Sequence, residues 1–117
     1  MKDSLFIRGK VPMTKAEVRA VSISKLELPP DAVVYDVGAG TGSVTIEMAL
    51  QLPQGMVYAI ERNSDAVDLL HQNCEKFGVS NVKIVPGLAP EAFEGLPVAT
   101  HAFLGGTGGR VEEILRQ

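Results

Sequence analysis

The sequence predicts an α/β domain in three layers, built on a mostly parallel sheet with helices on both faces. Two observations carry that expectation. After residue 31, short apolar runs rich in β-branched residues alternate with longer segments of helical spacing. That is the pattern of strands covered on both faces and joined by right-handed crossover helices. A glycine cluster, Gly38 to Gly42, also falls directly between the first such run and the helix after it, where open α/β sheets bind ligands.

Each element has a local reason. Residues 1 to 13 read as an N-terminal arm ending near Pro12. Thr14 and Glu17 have the spacing of a capping box, so a helix is expected over Lys15 to Lys25 with Val18, Val21 and Ser22 turned inward. It stops before Pro29-Pro30, because proline donates nothing to the helix ladder and biases its predecessor to extended geometry. Ala32 to Val37 is the first strand, and Thr41 to Leu52 the helix after it, closed by Pro53 and Gly55. Met56 to Ile60 is the second strand. Asn63 or Ser64 caps a helix reaching Phe77, with Val67, Leu70 and Cys74 at helical spacing and Gly78 as its stop. Val82 to Val85 is the third strand, Pro90 to Phe93 a single turn, and Thr100 to Leu104 the fourth strand, followed by Gly105 to Gly109 and a last helix.

Composition narrows the function. A chain of 117 residues, 45% hydrophobic and 21% charged, is one domain with a packed core. Its apolar runs fall far short of the roughly 20 residues of a membrane span, so no membrane partner is expected. No secretory signal is read behind Lys2, and the single cysteine, Cys74, agrees with a reducing compartment; a cytoplasmic address is expected. Cys74, Met13 and Met48 read as core residues. The net charge of −3 argues against a general nucleic-acid binder. Its distribution is uneven: the first 25 residues hold six of the eleven basic residues and two of the fourteen acids. Such an arm can meet an anionic partner or simply form a solvated basic surface. Two histidines and one cysteine offer no metal site and no Ser/His/Asp or Cys/His set.

The loop Asp36-Val37-Gly38-Ala39-Gly40-Thr41-Gly42 narrows the ligand. A dinucleotide fingerprint requires a third glycine at position 43, which is Ser43 here, and no lysine followed by Ser or Thr completes a phosphate loop. The second strand runs into Glu61, 19 residues beyond Gly42, where a carboxylate can accept both hydroxyls of a ribose. Asp36 is expected under the loop, ordering it through backbone N–H groups or water rather than acting as a base.

The D-x-G-x-G-x-G loop with an acid ending the next strand resembles the Rossmann-like S-adenosylmethionine-dependent methyltransferases. Four stretches resemble the decarboxylating precorrin methyltransferases of cobalamin synthesis more specifically: Phe6-Ile7-Arg8-Gly9, Val11-Pro12-Met13-Thr14-Lys15 with Glu17-Val18-Arg19, Val37 to Ser43, and Phe103 to Gly109. The resemblance implies an enzyme that transfers a methyl group to a carbon of a precorrin, with decarboxylation of an acetate side chain. It implies S-adenosylmethionine held by Thr14, Gly38, Ala39, Gly40, Thr41, Gly42, Glu61 and Ala89, with no metal. The same resemblance implies a strand order of 3-2-1-4. Two departures stand out. Leu88 occupies the position where that family has an aspartate in a G-D-A-P segment, and Thr100-His101 replaces an aspartate at the start of strand four. His101 reads as a structural histidine rather than a general base.

The implied tetrapyrrole bears many carboxylates, so Arg8, Lys10, Lys15 and Arg19 are expected to meet them. Gly105, Gly106 and Gly108 would leave a surface free of side chains for a broad macrocycle, with amides at a helix start for one of its carboxylates. Three alternatives stay open: a methyltransferase for RNA, protein or another small molecule, a nicotinamide oxidoreductase, and a non-catalytic nucleoside-binding module. Four strands where the implied fold has more suggest a truncated domain, or a homo-oligomer that covers the edge of strand four.

Overall fold

The computed structural model describes residues 1–9, 11, 13–88 and 90–105. A short 3₁₀ turn at Asp3–Leu5 precedes helix α1 (Ala16–Leu26), strand β1 (Val33–Val37), helix α2 (Ser43–Leu50), strand β2 (Met56–Glu61), helix α3 (Ser64–Phe77) and strand β3 (Val82–Pro86). A second 3₁₀ turn, Glu91–Phe93, leads to strand β4 (His101–Leu104). The expected last helix lies outside the described residues.

The four strands form one parallel sheet in the order β3-β2-β1-β4. Its register aligns Val37 with Ile60 and with Leu104, so the carboxyl ends of the two central strands and of β4 open at the same edge. Because successive strand residues point to opposite faces, β1 feeds two cores. Val34 packs with Val57, with Val44, Met48 and Ala49 of α2 and with Ile23 of α1. Tyr35 and Val37 pack with Ile60 and Phe93 on the other face. A third cluster, Ala39 with Ala59 and Leu70, joins the glycine loop to α3. Each fully buried aliphatic side chain of this kind contributes about 1.5–3 kcal/mol.

Helix α3 follows its local signals. The Asn63 side chain accepts from the amides of Asp65 and Ala66, and Gly78 closes the helix in the left-handed conformation. Helix α1 departs from the sequence reading in two respects. It begins at Ala16 with Lys15 as its cap and no side-chain capping bond, so Thr14 and Glu17 do not form a capping box. Its buried face carries Arg19 and Ile23, whereas Val18 and Val21 are more than half exposed.

The reason is Arg19, which is completely buried. Its Nε donates to Glu47 Oε2 at 2.7 Å, Nη1 donates to Asp3 Oδ1 at 2.7 Å and to the Thr14 carbonyl, and Nη2 donates to the Met1 carbonyl at 2.5 Å. Its guanidinium carbon also lies 5.1 Å from the centre of the Phe6 ring. Four partners and an aromatic face offset the cost of burying the charge, and this rotates the helix away from the valine stripe. Arg19 is therefore a structural cation that clasps the N-terminal segment to α2, not a group free to meet a substrate.

Candidate cofactor-binding site

The loop between β1 and α2 is shaped by its glycines. Gly38, Gly40 and Gly42 have φ of 75°, 60° and 88°, a region that side-chain-bearing residues rarely adopt. At Gly42 space matters as well, since a Cβ there would stand 2.3 Å from Leu70 Cδ1. The amides of Gly38 and Ala39 both donate to the Ile60 carbonyl, at 2.9 and 3.1 Å, which docks the loop on the end of β2.

Glu61 closes the site. Its Oε1 accepts the Gly40 amide at 2.8 Å and its Oε2 accepts the Asn63 amide at 3.0 Å. Each carboxylate oxygen keeps a further lone pair, so the group can accept two more hydrogen bonds while holding both amides. Gly87 donates its amide to the Glu61 carbonyl at 2.9 Å, bringing the turn after β3 to the same edge. Leu88, beside it, is exposed.

Asp36 lies beneath the loop, fully buried, but its partner is the hydroxyl of Thr45 on α2. It anchors the helix behind the loop, where the sequence suggested bonds to backbone amides or water. Burial pushes its carboxyl up to about 7; the Thr45 hydrogen bond opposes this and the Glu61 charge adds to it. Thr41 is also buried, and its Oγ1 has no hydrogen-bond partner among the described residues.

The other expected residues fall as follows. Thr14 is half-buried, and Arg19 links it to Glu47 on α2. Arg8 and Lys15 are exposed. Gly105 donates its amide to the Val37 carbonyl at 2.8 Å and sits beside the Gly38 carbonyl, so the end of β4 borders the loop. Lys10, Ala89, Gly106 and Gly108 lie outside the described residues. His101 is half-buried with Nδ1 2.8 Å from Thr100 Oγ1. Cys74 is half-buried and burial pushes its thiol up to about 11, so little thiolate forms near neutrality. Among the described residues no group of three or more His, Cys, Asp or Glu is placed to hold a metal, and no helix is long and apolar enough to cross a membrane.

Sequence reasoning missed Asn73. It is fully buried, and its amide nitrogen donates to the carbonyls of Thr41 at 2.8 Å and Ile7 at 2.7 Å. The available signal was its place three residues after Leu70, on the helix face that meets the loop.

These groups fit a nucleoside that lacks phosphates. Glu61 offers acceptors at the strand mouth, the loop offers backbone and little side chain, Thr41 holds an unused hydroxyl, and the loop carries no lysine. A parallel sheet of order 3-2-1-4, with a glycine loop after its first strand and an acid ending its second, is a Rossmann-like arrangement, and the solved structures it superposes on place it among the Rossmann-like methyltransferase folds. The family model described as "Precorrin methyltransferase domain" matches residues 5–117, and the chain belongs to that family.

Among its relatives is the cobalt-precorrin-6B C(15)-methyltransferase (decarboxylating) of Salmonella typhimurium, 51% identical over 116 residues. The match covers 98% of this chain and 59% of that protein. The crystal structure of precorrin-6y C5,15-methyltransferase from Geobacter metallireducens superposes with a TM-score of 0.92 at 42% identity, covering 99% of this chain and 61% of that one. The precorrin 8W decarboxylase structure from Methanobacterium thermoautotrophicum gives 0.90 at 39%, covering 99% and 63%. The chain thus spans less than two thirds of the length of these relatives.

Proposed function

We propose that the chain is the cofactor-binding part of a methyltransferase that moves a methyl group from S-adenosylmethionine to a carbon of a precorrin in cobalamin synthesis, with decarboxylation of an acetate side chain. The observation that carries this reading is the contact between Glu61 and Gly40, in a chain of the precorrin methyltransferase family. The named activity of the Salmonella typhimurium relative, methylation at C15 of cobalt-precorrin-6B with decarboxylation, supplies the proposed substrate.

Bound S-adenosylmethionine would supply an electrophilic methyl group on a sulfonium. Glu61 would accept the ribose hydroxyls with the lone pairs it does not use for Gly40 and Asn63, and Gly38, Ala39, Gly40, Thr41 and Gly42 would form the floor beneath the nucleoside. Thr14 and Ala89 complete the proposed set. The chain's task is alignment, because an in-line displacement needs the acceptor carbon about 3–3.5 Å from the methyl group. A reduced tetrapyrrole brings its own electron-rich, enamine-like carbon, so no strong protein base is required. Arg8, Lys10 and Lys15 would pair with its carboxylates, and Gly105, Gly106 and Gly108 would border the macrocycle.

The partner is then a carboxylate-rich small molecule rather than a nucleic acid, in keeping with a net charge of −3. A cytoplasmic location and assembly of several copies belong to the same proposal.

Titration of the full-length protein with S-adenosylmethionine, S-adenosylhomocysteine and NADH tests the cofactor, and binding of NADH alone would overturn the reading. Methyl transfer to cobalt-precorrin-6B tests the acceptor. Replacing Arg8 and Lys10 by alanine is expected to weaken substrate but not cofactor binding, and equal loss of both would remove these residues from the substrate site.

A further inference from the structure

The fully buried side chain of Asn73 on α3 touches two segments far from it in sequence. Its Oδ1 accepts the Ile7 amide at 2.6 Å and its Nδ2 returns a hydrogen bond to the Ile7 carbonyl at 2.7 Å, so the side chain pairs with one backbone residue as a neighbouring strand would. The second amide proton goes to the Thr41 carbonyl at 2.8 Å. Thr41 directly precedes Gly42, the N-cap of α2, so its carbonyl lies outside the helix ladder and depends on a partner from elsewhere. Both protons of one planar amide are thus committed, one to the N-terminal segment and one to the glycine loop.

The surrounding contacts keep the two ends in register. Leu70, one turn earlier on α3, blocks the space at Gly42. Phe77, one turn later, packs its ring 5.0 Å from that of Phe6, and Lys76 donates to the Leu5 carbonyl. The same helix begins at Asn63, whose amide is held by Glu61. One rigid element therefore touches the loop, the ribose-binding carboxylate and the N-terminal segment.

We propose that Asn73 is a positioning residue that couples the N-terminal segment at Ile7 to the glycine loop at Thr41, so that filling the loop and docking the segment reinforce one another. The inference rests on the adenosyl-cofactor reading of the loop. Its physical basis is that a planar amide satisfies both carbonyls in only one placement of the two segments. A ligand that fixes the loop therefore fixes the Ile7 contact, and by linkage the docked segment raises affinity for the ligand by the same factor.

Amide exchange of the full-length protein with and without S-adenosylhomocysteine tests this. Saturating ligand is expected to slow exchange of the Ile7 amide about tenfold, within the roughly 5–150-fold span of coupled sites. Asn73→Ala should bind the ligand about tenfold more weakly and lose the ligand-dependent protection of Ile7. Ile7→Pro removes the donor from the other side; Phe6 is already extended at φ −96° and ψ 143°, as a residue before proline must be. It should weaken binding similarly, and the double variant should be no weaker than either, since both cut one link. If Asn73→Ala does not fold, exchange in the unaltered protein still decides. Protection of Ile7 that ignores bound ligand, or unchanged affinity in both variants, would overturn the coupling alone. Absence of any ligand binding to the unaltered protein would overturn the cofactor reading and the coupling with it.

Discussion

Glu61 and Gly40 meet across the carboxyl edge of the sheet at 2.8 Å, a carboxylate oxygen accepting a loop amide. This makes the acid that ends β2 part of the loop that ends β1, so the two features proposed to bind the nucleoside are mechanically one. Replacing Glu61 by alanine removes that bond and the one from Asn63, each charge-assisted and worth about 1.5–3 kcal/mol. Affinity for S-adenosylhomocysteine should fall at least tenfold by calorimetric titration, with Glu61→Gln in between. Binding within twofold of the unaltered protein would show that the carboxylate does not serve the ligand.

Arg19 and Glu47 form a different kind of pair, a fully buried guanidinium against a partly exposed carboxylate. Removing the guanidinium leaves two backbone carbonyls without that donor, while Glu47 keeps the N-terminal ammonium at 2.7 Å, so the cost should fall below the about 3–5 kcal/mol of a fully buried pair. Arg19→Ala should therefore lower thermal stability and expose the first residues to proteolysis. Arg19→Lys should recover only part of the loss, since a single ammonium cannot satisfy Glu47, Asp3 and two carbonyls together. A melting temperature unchanged by the alanine substitution would contradict the clasp.

Asp36 makes stability depend on pH with an unusual sign. Its carboxyl titrates near 4 in the unfolded chain and at about 7 in the folded one, so between those values the folded state holds more protons. Stability from this group is accordingly present below about pH 4 and is lost as pH rises to about 7. Asp36→Asn, which keeps the shape and can still bond Thr45, should melt higher than the unaltered protein at pH 8, with the difference closing at pH 5. A difference of the same size at both values would mean that the carboxyl is not the titrating group.

Gly42 combines a left-handed φ of 88° with the side chain of Leu70 where a Cβ would go. Leu70 is itself fully buried and has no room to yield. Gly42→Ala should destabilise by about 1–3 kcal/mol from strain and overpacking together. Shortening the neighbour in a Gly42→Ala/Leu70→Ala variant should relieve the overpacking and leave the strain, so the double variant should cost less than the sum of the two single variants. Strict additivity in chemical denaturation would argue against the contact.

The sequence by itself determined the strands and set the glycine loop at the carboxyl end of the first. Val33 to Val37 and Met56 to Glu61 are strands because β-branched residues run between turn signals, and α3 starts and stops where Asn63 and Gly78 require. The glycine loop and the position of Glu61 were legible for the same reason: they follow from backbone freedom and from the end of a strand, which are properties of a few adjacent residues. The decisions left to tertiary structure involve polar side chains whose partners are distant in the chain. Arg19 turned α1 onto the face opposite its valines because Asp3 and Glu47, 16 and 28 residues away, surround it. Asp36 found Thr45 instead of the loop, and Asn73 found Ile7 and Thr41, 66 and 32 residues away. Apolar burial is nearly indifferent to the identity of the neighbour, so periodicity reports it. A buried polar group is stable only with particular partners in particular places, and those exist only once the chain has folded.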